Sequence, residues 1–527
     1  MKLLSINVKF KSATNSIRHQ CIFTIILLLT VYPYVLLAQN NFVFGPNVKV
    51  NDDPGGQAFH TVYSYGAHTI AARGDTVYIA YRGDQTGLSS VYFSKSIDCG
   101  QTWTPGLRVN YPNHGIIQSL AVDAKGDIFI AYTHIRDPNY RDIHFTKSTD
   151  GGLTFTYPIR LEDDTLPNQN GPSIAVDTSG QKIFVAWNDY RNFSVSGIDI
   201  YLTRSTDGGA SFLPNIRVDD TGNDSSWQRG PGIAVDRGGN NVYVAWYDER
   251  NWSKGSDIYF SRSTDGGLSF LPNVLVNDTA TTESTNQRYP SIAVDTLGRI
   301  FIVWRDMRQG DMGCFFALSD DGGLNFSNDI KVSDGGDLAI DRPSIAVDDS
   351  DGVYVAWGDD IRLMNGGERI YFAFSPSAGD SFLPNVRVDD LPPGDEYWLW
   401  SPTLAINEDK KVFIAWQDDR LNHTNAFDIY FASGSYVGIQ EYVKSDVVKD
   451  FVEVLPNPFQ RYLTVKSLQA DITQIALFDV SGRQIKSKEI NNGAAVKLDV
   501  QDLPGGIYFI KVKSKEKTFI KKVVKVK

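Results

Sequence analysis

Three arginines stand at comparable points of the chain. Arg229, Arg288 and Arg342 each lie one or two residues ahead of a proline that opens an apolar strand. Guanidiniums gathered in one place bind a carboxylate or a sulfate through paired, charge-assisted hydrogen bonds. Large aromatic residues occupy the same kind of loop: Trp227, Tyr289, Tyr397, Trp398 and Trp400. Exposed rings of this type stack on the faces of sugars. Together the two sets form a candidate binding site for an acidic glycan. The alternative is that they pack between structural units or pair with acidic neighbours, because large aromatics are more often buried.

A second constellation is more regular. Asp-x-Arg recurs as Asp189 with Arg191, Asp248 with Arg250, Asp306 with Arg308 and Asp418 with Arg420, and Asp359 is followed by Arg362. Acids beside arginines are material for glycoside hydrolysis, but a pair found in nearly every copy of a repeat is expected to brace its loop. Two Tyr–Glu neighbours occur, Glu396 beside Tyr397 and Tyr247 near Glu249. The seven histidines are scattered, and His-Glu-x-x-His is absent from the sequence. No cofactor or metal is expected, with Asp348-Asp-Ser-Asp-Gly352 the one turn where calcium is an alternative to plain solvation.

The loops are positioned by an internal repeat. Ser-Ile-Ala-Val-Asp, a turn, and an alternating strand ending in an aromatic recur along the chain; the closing aromatics are Tyr81, Tyr132, Trp187, Trp246, Trp304, Trp357 and Trp416. Their steps are 51, 55, 59, 58, 53 and 59 residues. Each unit reads as four strands, A to D, with period-two alternation and β-branched and aromatic enrichment. Four short strands in about 50 residues is the pattern of a β-propeller blade, so an all-β, seven-bladed propeller is predicted. The seventh unit stops after strand C at Asp428–Ser433, and a stray strand D, Asn47–Asn51, precedes the first. Pairing these two ends would close the ring and leave no open edge. The A strands would then be innermost, with the B–C and D–A loops on one face.

The net charge of -11 is uneven: +4 over residues 1–38, +6 over 435–527, and therefore -21 between them. So acidic a body makes nucleic acid an unlikely partner, because phosphates would be repelled. A basic stretch ending at Arg18, an apolar run from Ile22 to Leu37 and the site Leu36-Leu37-Ala38 read as a signal peptide, residues 1–38, cleaved near Ala38. Pro33 interrupts that run, which is short for the roughly 20 residues of a membrane span. No transmembrane segment is expected in the mature chain. Cys21 lies in the signal, and Cys99 and Cys314 fall in repeats too far apart to bridge.

A further motif sits between strands C and D: Ser-x-Asp-x-Gly-x-x-aromatic. It carries Asp98, Asp150, Asp207, Asp265 and Asp321, with a degraded copy at Ser375–Phe382 where Ser377 replaces the acid. The carboxylate is expected to accept backbone N–H groups, the glycine to take a positive φ, and the aromatic to pack on its own blade. These copies resemble the Asp-box (BNR-type) repeats of the sialidase-like superfamily over most of residues 42–434. That resemblance implies structural Asp boxes away from the active face. The family's Arg-Ile-Pro or Arg-Leu-Pro tripeptide does not occur here, and its propeller has six blades, so its catalytic residues are not carried over. Beyond Gly434, Leu455-Pro-Asn-Pro-Phe459, Ile475–Gln484 and Leu503–Lys511 stand in order before a Lys-rich end. This segment resembles the type A C-terminal sorting domain of the type IX secretion system, a small β-sandwich. The resemblance implies export across the outer membrane through that machinery and removal of the domain.

The expected organisation is a signal peptide 1–38, a propeller 39–434, a linker 435–454 and a sorting domain 455–527. The expected product is a secreted or cell-surface protein that binds a glycan or a surface protein, the alternative being a sialidase-like exo-hydrolase of acidic glycans. Intact-mass measurement of the exported protein should give a chain that begins at Gln39 and lacks residues 455–527. A mature form retaining either end would contradict the reading of that end.

Overall fold

The computed structural model describes residues 42–436 apart from 54–57, 63–67, 85–86, 88, 111–113, 138–139, 165–167, 223–225, 279–284, 309–311, 335–339, 361–367, 393–396 and 422–425. It also describes residues 452–525 apart from 456–460, 468–471, 479–483, 494, 505 and 515–517. The signal segment with Ala38, Arg362, Glu396 and most of the linker lie outside the described residues. The chain divides after Tyr436 into two compact units.

Among its described residues the first unit is all β apart from one short 3-10 turn at Trp252–Lys254. In the fourth repeat the strands are Gln228–Val235, Val242–Asp248, Gly255–Ser263 and Val274–Leu275, antiparallel in that order. Every residue of Val242–Asp248 is buried, because other repeats pack on both faces of the sheet; the indoles of Trp187, Trp246, Trp304, Trp357 and Trp416 are the largest of these core side chains. The ladders of this unit form six sheets, one of them eight-stranded. That differs from seven separate sets. Gly255–Ser256 pairs in parallel with Thr285–Asn286 and joins the fourth and fifth repeats. Gly255 has φ +98°, and a Cβ there would stand 1.6 Å from the Thr285 carbonyl oxygen, so only glycine permits the joint.

The A strands contact one another in succession from 70–73 to 399–406, and the last contacts the first. Hydroxyls near the middle of these strands link neighbours: the amides of Ile174, Ile345, Leu404 and Thr69 donate to Ser119, Ser291, Ser344 and Thr403 at 3.0–3.3 Å. Residues from the beginning of the unit complete its end. Val48 and Lys49 pair with Phe431 and Tyr430, and Phe42–Phe44 pairs with Gly434–Tyr436.

Each Asp-x-Arg does brace its loop. Buried Asp248 accepts the Trp246 indole N–H at 3.0 Å, the Arg250 amide at 2.8 Å and the Arg250 guanidinium at 2.8 Å. The guanidinium lies 3.9 Å over Tyr259 and donates to Asp220 and Asn273. Those two form a clasp between successive repeats, Asn273 N–H to Asp220 and Asp220 N–H to Asn273, at 2.9 and 2.8 Å. The same clasp joins Asn215 to Asp163 and Asn385 to Asp334. It recurs between Asn47 and Asp390, with Arg420 donating to both.

In the Ser-x-Asp-x-Gly turns, Asp150 accepts the amides of Leu153 and Thr154 and the hydroxyls of Ser148 and Thr154. Hydrogen bonds from Ser96 and Thr102 hold Asp98 at about 2, and those from Asn325 and Ser319 hold Asp321 at about 2. Asp150, Asp207 and Asp265 are likewise held well below the carboxylate range by neighbouring hydroxyls and amides. The aromatic corrects the expectation in several turns, packing edge-on against a ring of the preceding repeat: Phe155 on Phe93, Phe212 on Phe145, Phe326 on Phe260. Trp103 of the first repeat meets Phe431 of the seventh at 5.1 Å. Glycine makes this possible, since a Cβ on Gly323 (φ +86°) would sit 2.2 Å from Phe260.

The second unit holds two antiparallel sheets, a three-stranded one built on Tyr462–Ser467 and a four-stranded one built on Ile472–Phe478 and Gly506–Ser514. Leu463, Val465, Ile475, Leu477, Ile510 and Val512 share one core between them.

Replacing Asp248 by Ala leaves the Arg250 guanidinium and the Trp246 N–H without their acceptor. Denaturant unfolding should show a loss of about 3–5 kcal/mol, the cost of breaking a buried ion pair from one side; a loss under about 1 kcal/mol would place the bracing elsewhere.

Candidate functional site

Proline shapes the start of the A strand from the third repeat onward. It has no N–H for the ladder, and the register slips between Arg229 and Gly232, Arg288 and Ser291, Asp341 and Ser344, and Trp400 and Thr403. The residue inside the bulge takes a left-handed conformation in several repeats: Ile117 (φ 45°), Gly230 (68°), Tyr289 (57°) and Ser401 (53°). The bulge turns side chains out of the sheet at the end where the D–A loops enter.

A cavity of about 380 Å³ opens among these bulges, lined by Phe59, Thr61, Arg82, Ile116, Ile117, Arg141, Arg342, Trp400, Ser401 and Gln417. The lining draws on the first, second, sixth and seventh repeats. Among the described residues that line it are three guanidiniums and no carboxylate. Trp400 is held flat between Trp398 at 5.5 Å and Phe427 at 5.7 Å. Phe427 meets Phe59 edge-on at 5.5 Å, and Arg82 lies 5.2 Å over Phe59 while bonded to Asp84. Arg342 pairs with Asp341 at 2.6 Å and lies 4.5 Å over Tyr289. Asp341 in turn accepts the Ser401 amide at 2.8 Å, tying the sixth bulge to the seventh.

Arg342 also borders a second group. Arg288 donates to Glu249 at 3.2 Å and lies 5.7 Å over Tyr247, which meets Tyr289 edge-on. Arg305 is between them. Burial pushes its guanidinium below the usual range, Asp341 and Tyr289 oppose this, and Arg342 and Arg288 add to it. Three guanidiniums therefore meet here, with Arg288 and Arg342 each paired to a carboxylate.

The structure brings Arg288, Tyr289 and Arg342 together, and Trp398 and Trp400 with Arg342 at the cavity. Trp227 and Arg229 stack on each other at 4.1 Å in the fourth repeat and do not line the cavity. Tyr397 packs against the apolar cluster of Leu399 and Trp416. The Asp348–Gly352 turn spends its carboxylates on cations, with Asp348 facing Lys410, Asp349 facing Arg237 and Asp351 facing Arg299. Sequence reasoning missed Phe59, Arg82, Ile116, Arg141, Arg305 and Gln417. A signal existed for half of these. The residue after the closing aromatic of strand B varies while its flanks repeat, reading Arg82, Thr133, Asn188, Tyr247, Arg305, Gly358 and Gln417. From the second repeat on, each faces a residue beside the bulge across the ladder, as Arg305 faces Arg288 and Gln417 faces Trp400.

Comparison with solved structures finds likenesses of low identity. A protein of unknown function from Dyadobacter fermentans is 17% identical, over 62% of this chain and 96% of its own, with a TM-score of 0.44. An ulvan lyase from a new family of polysaccharide lyases is 14% identical, over 72% and 94%, with a TM-score of 0.49. A Hadza microbial sialidase is 17% identical, over 67% and 73%, with a TM-score of 0.42. No curated protein matches the chain. The family of secretion system C-terminal sorting domains matches residues 453–527. The chain therefore ends in a secretion-system sorting domain, which marks it for the outer cell surface or the medium.

Proposed function

We propose that the exported body, residues 39–434, is a seven-bladed β-propeller that binds an acidic saccharide in the cavity bordered by Arg82, Arg141, Arg342 and Trp400. The blade count rests on the seven repeats, with the eight-stranded sheet read as two blades joined at Gly255. Closure is supported by the unbroken succession of A strands and by Asn47, which makes the clasp and the arginine contact that Asn215 and Asn273 make elsewhere. Residues 435–454 are then the linker, and 455–527 the domain read by the type IX machinery.

The observation that carries the binding reading is the lining of the cavity: three guanidiniums and a clamped indole, with no carboxylate among the described lining residues. Guanidiniums pair with carboxylate or sulfate, the indole takes the apolar face of a sugar ring, and hydrolysis by the usual pair of acids lacks its groups there. A hydrolase is the second reading, favoured by one grouping, Tyr247 and Glu249 around Arg288.

Titration of the full chain with sialyllactose, oligogalacturonate and a sulfated oligosaccharide should show binding to at least one. Trp400→Ala and Arg342→Ala should each weaken it about tenfold or more, the effect of roughly 1.4 kcal/mol, and added salt should weaken it further. Unchanged affinity in both variants would remove the cavity from the proposal. A fluorogenic sialoside should not turn over; turnover abolished by Arg288→Ala would install the second reading.

A further inference from the structure

The second repeat departs from four of the others where the end of strand B faces strand C. In the third, fourth, fifth and seventh repeats the end of strand B carries the buried aspartate, and strand C carries the ring beneath the arginine: Asp189 with Tyr201, Asp248 with Tyr259, Asp306 with Phe315, Asp418 with Tyr430. In the second repeat these two register positions hold His134 and His144. The strand register is the same, His134 opposite Asp142 and Tyr132 opposite His144, matching Asp189 opposite Asp199 and Trp187 opposite Tyr201. The closing aromatic is Tyr132, which has no indole N–H to satisfy, so the bracing duty of an aspartate has lapsed here.

We propose that His134, Asp142 and His144 form a binding site for a divalent transition metal ion, zinc above all. One donor atom from each lies within 4.8 Å of the others, and the imidazole centroids are 4.4 Å apart. The His134 Nδ1 is 2.8 Å from the His114 carbonyl, which can only accept, so Nδ1 carries the proton and Nε2 presents a lone pair. Nδ1 of His144 is buried without a hydrogen-bond partner, and so is Oδ1 of Asp142, a residue only 2% exposed. The guanidiniums of Arg136 and Arg160 stand 3.7 Å from the carboxylate, too far to satisfy it as hydrogen bonds, and Arg160 is itself bonded to Glu162. A buried carboxylate oxygen and a buried ring nitrogen left bare side by side are costly unless a cation joins them. Two imidazoles and one carboxylate make three ligands of the kind zinc takes, with a fourth position for water or an anion. The other His–Asp grouping, Asp53, His60 and Asp428, differs: both His60 nitrogens have partners, and Lys49 and Asn51 contact Asp428.

The test is calorimetric titration of the EDTA-stripped full chain with zinc chloride. The wild type should bind one equivalent with micromolar affinity or better. His144→Tyr, which installs the residue found in the third, fourth and seventh repeats, should fold normally and weaken binding about 100-fold or more, as should Asp142→Asn. Cobalt(II) should give the visible absorption of a low-symmetry site in the wild type and not in His144→Tyr. No uptake by the wild type at about 100 μM zinc, weaker than any site of this composition should be, would overturn the proposal. Affinities within about tenfold in wild type and both variants would overturn it too, because the ion would then sit elsewhere.

Discussion

Much of the loop face hangs on a carboxylate buried at the end of the B strand in four of the repeats. Asp189, Asp248, Asp306 and Asp418 are all but inaccessible to water, where an unpaired negative charge would be prohibitive. Each is compensated three ways, by an indole N–H, a backbone amide two residues on, and a guanidinium. Burial alone would lower Arg250, but its hydrogen bond to Asp248 holds it charged. Arg191, Arg250 and Arg420 also reach the Asn–Asp clasps between repeats. One interaction thus fixes the strand end, the loop after it and the neighbouring repeat.

Rigid bracing at that level leaves adjacent positions free to vary. The proline bulge lifts two residues out of the A strand, and the residue after the B-strand aromatic faces them. In the fifth repeat this gives Arg288 and Arg305, and in the seventh Trp400 and Gln417. Variation at two points per repeat, along the succession of A strands, is how a body of net charge -21 gathers guanidiniums on one face. The two histidines of the second repeat follow the same logic from the opposite side, since they replace bracing residues.

Much of this was legible in the sequence. Period-two alternation and a repeat near 55 residues gave the strands, and the recurrence of Asp-x-Arg correctly marked it as bracing. The Asp-containing turns were read correctly for their hydrogen bonds and wrongly for their aromatic: Phe155 reaches Phe93 of another repeat, and no local pattern reveals which sheet a turn leans on. Arg229 and Arg288 occupy equivalent places, yet one stacks on Trp227 and the other meets Glu249, because partners come from loops that differ between repeats. Phe59 and Arg141 were missed because neither lies in a repeated phrase. His134 and His144 were visible as departures from the repeat, but their meeting needs the cross-strand register.

Hydrogen–deuterium exchange of the full chain, with and without the tightest-binding of the acidic oligosaccharides, tests the central claim most directly, because it asks where the ligand sits and not only whether it binds. The account predicts protection at the bulges that line the cavity, residues 114–118, 340–343 and 399–402, with little change at 227–230. Protection confined to the Ser-x-Asp-x-Gly turns, or absent from the three bulges, would contradict it.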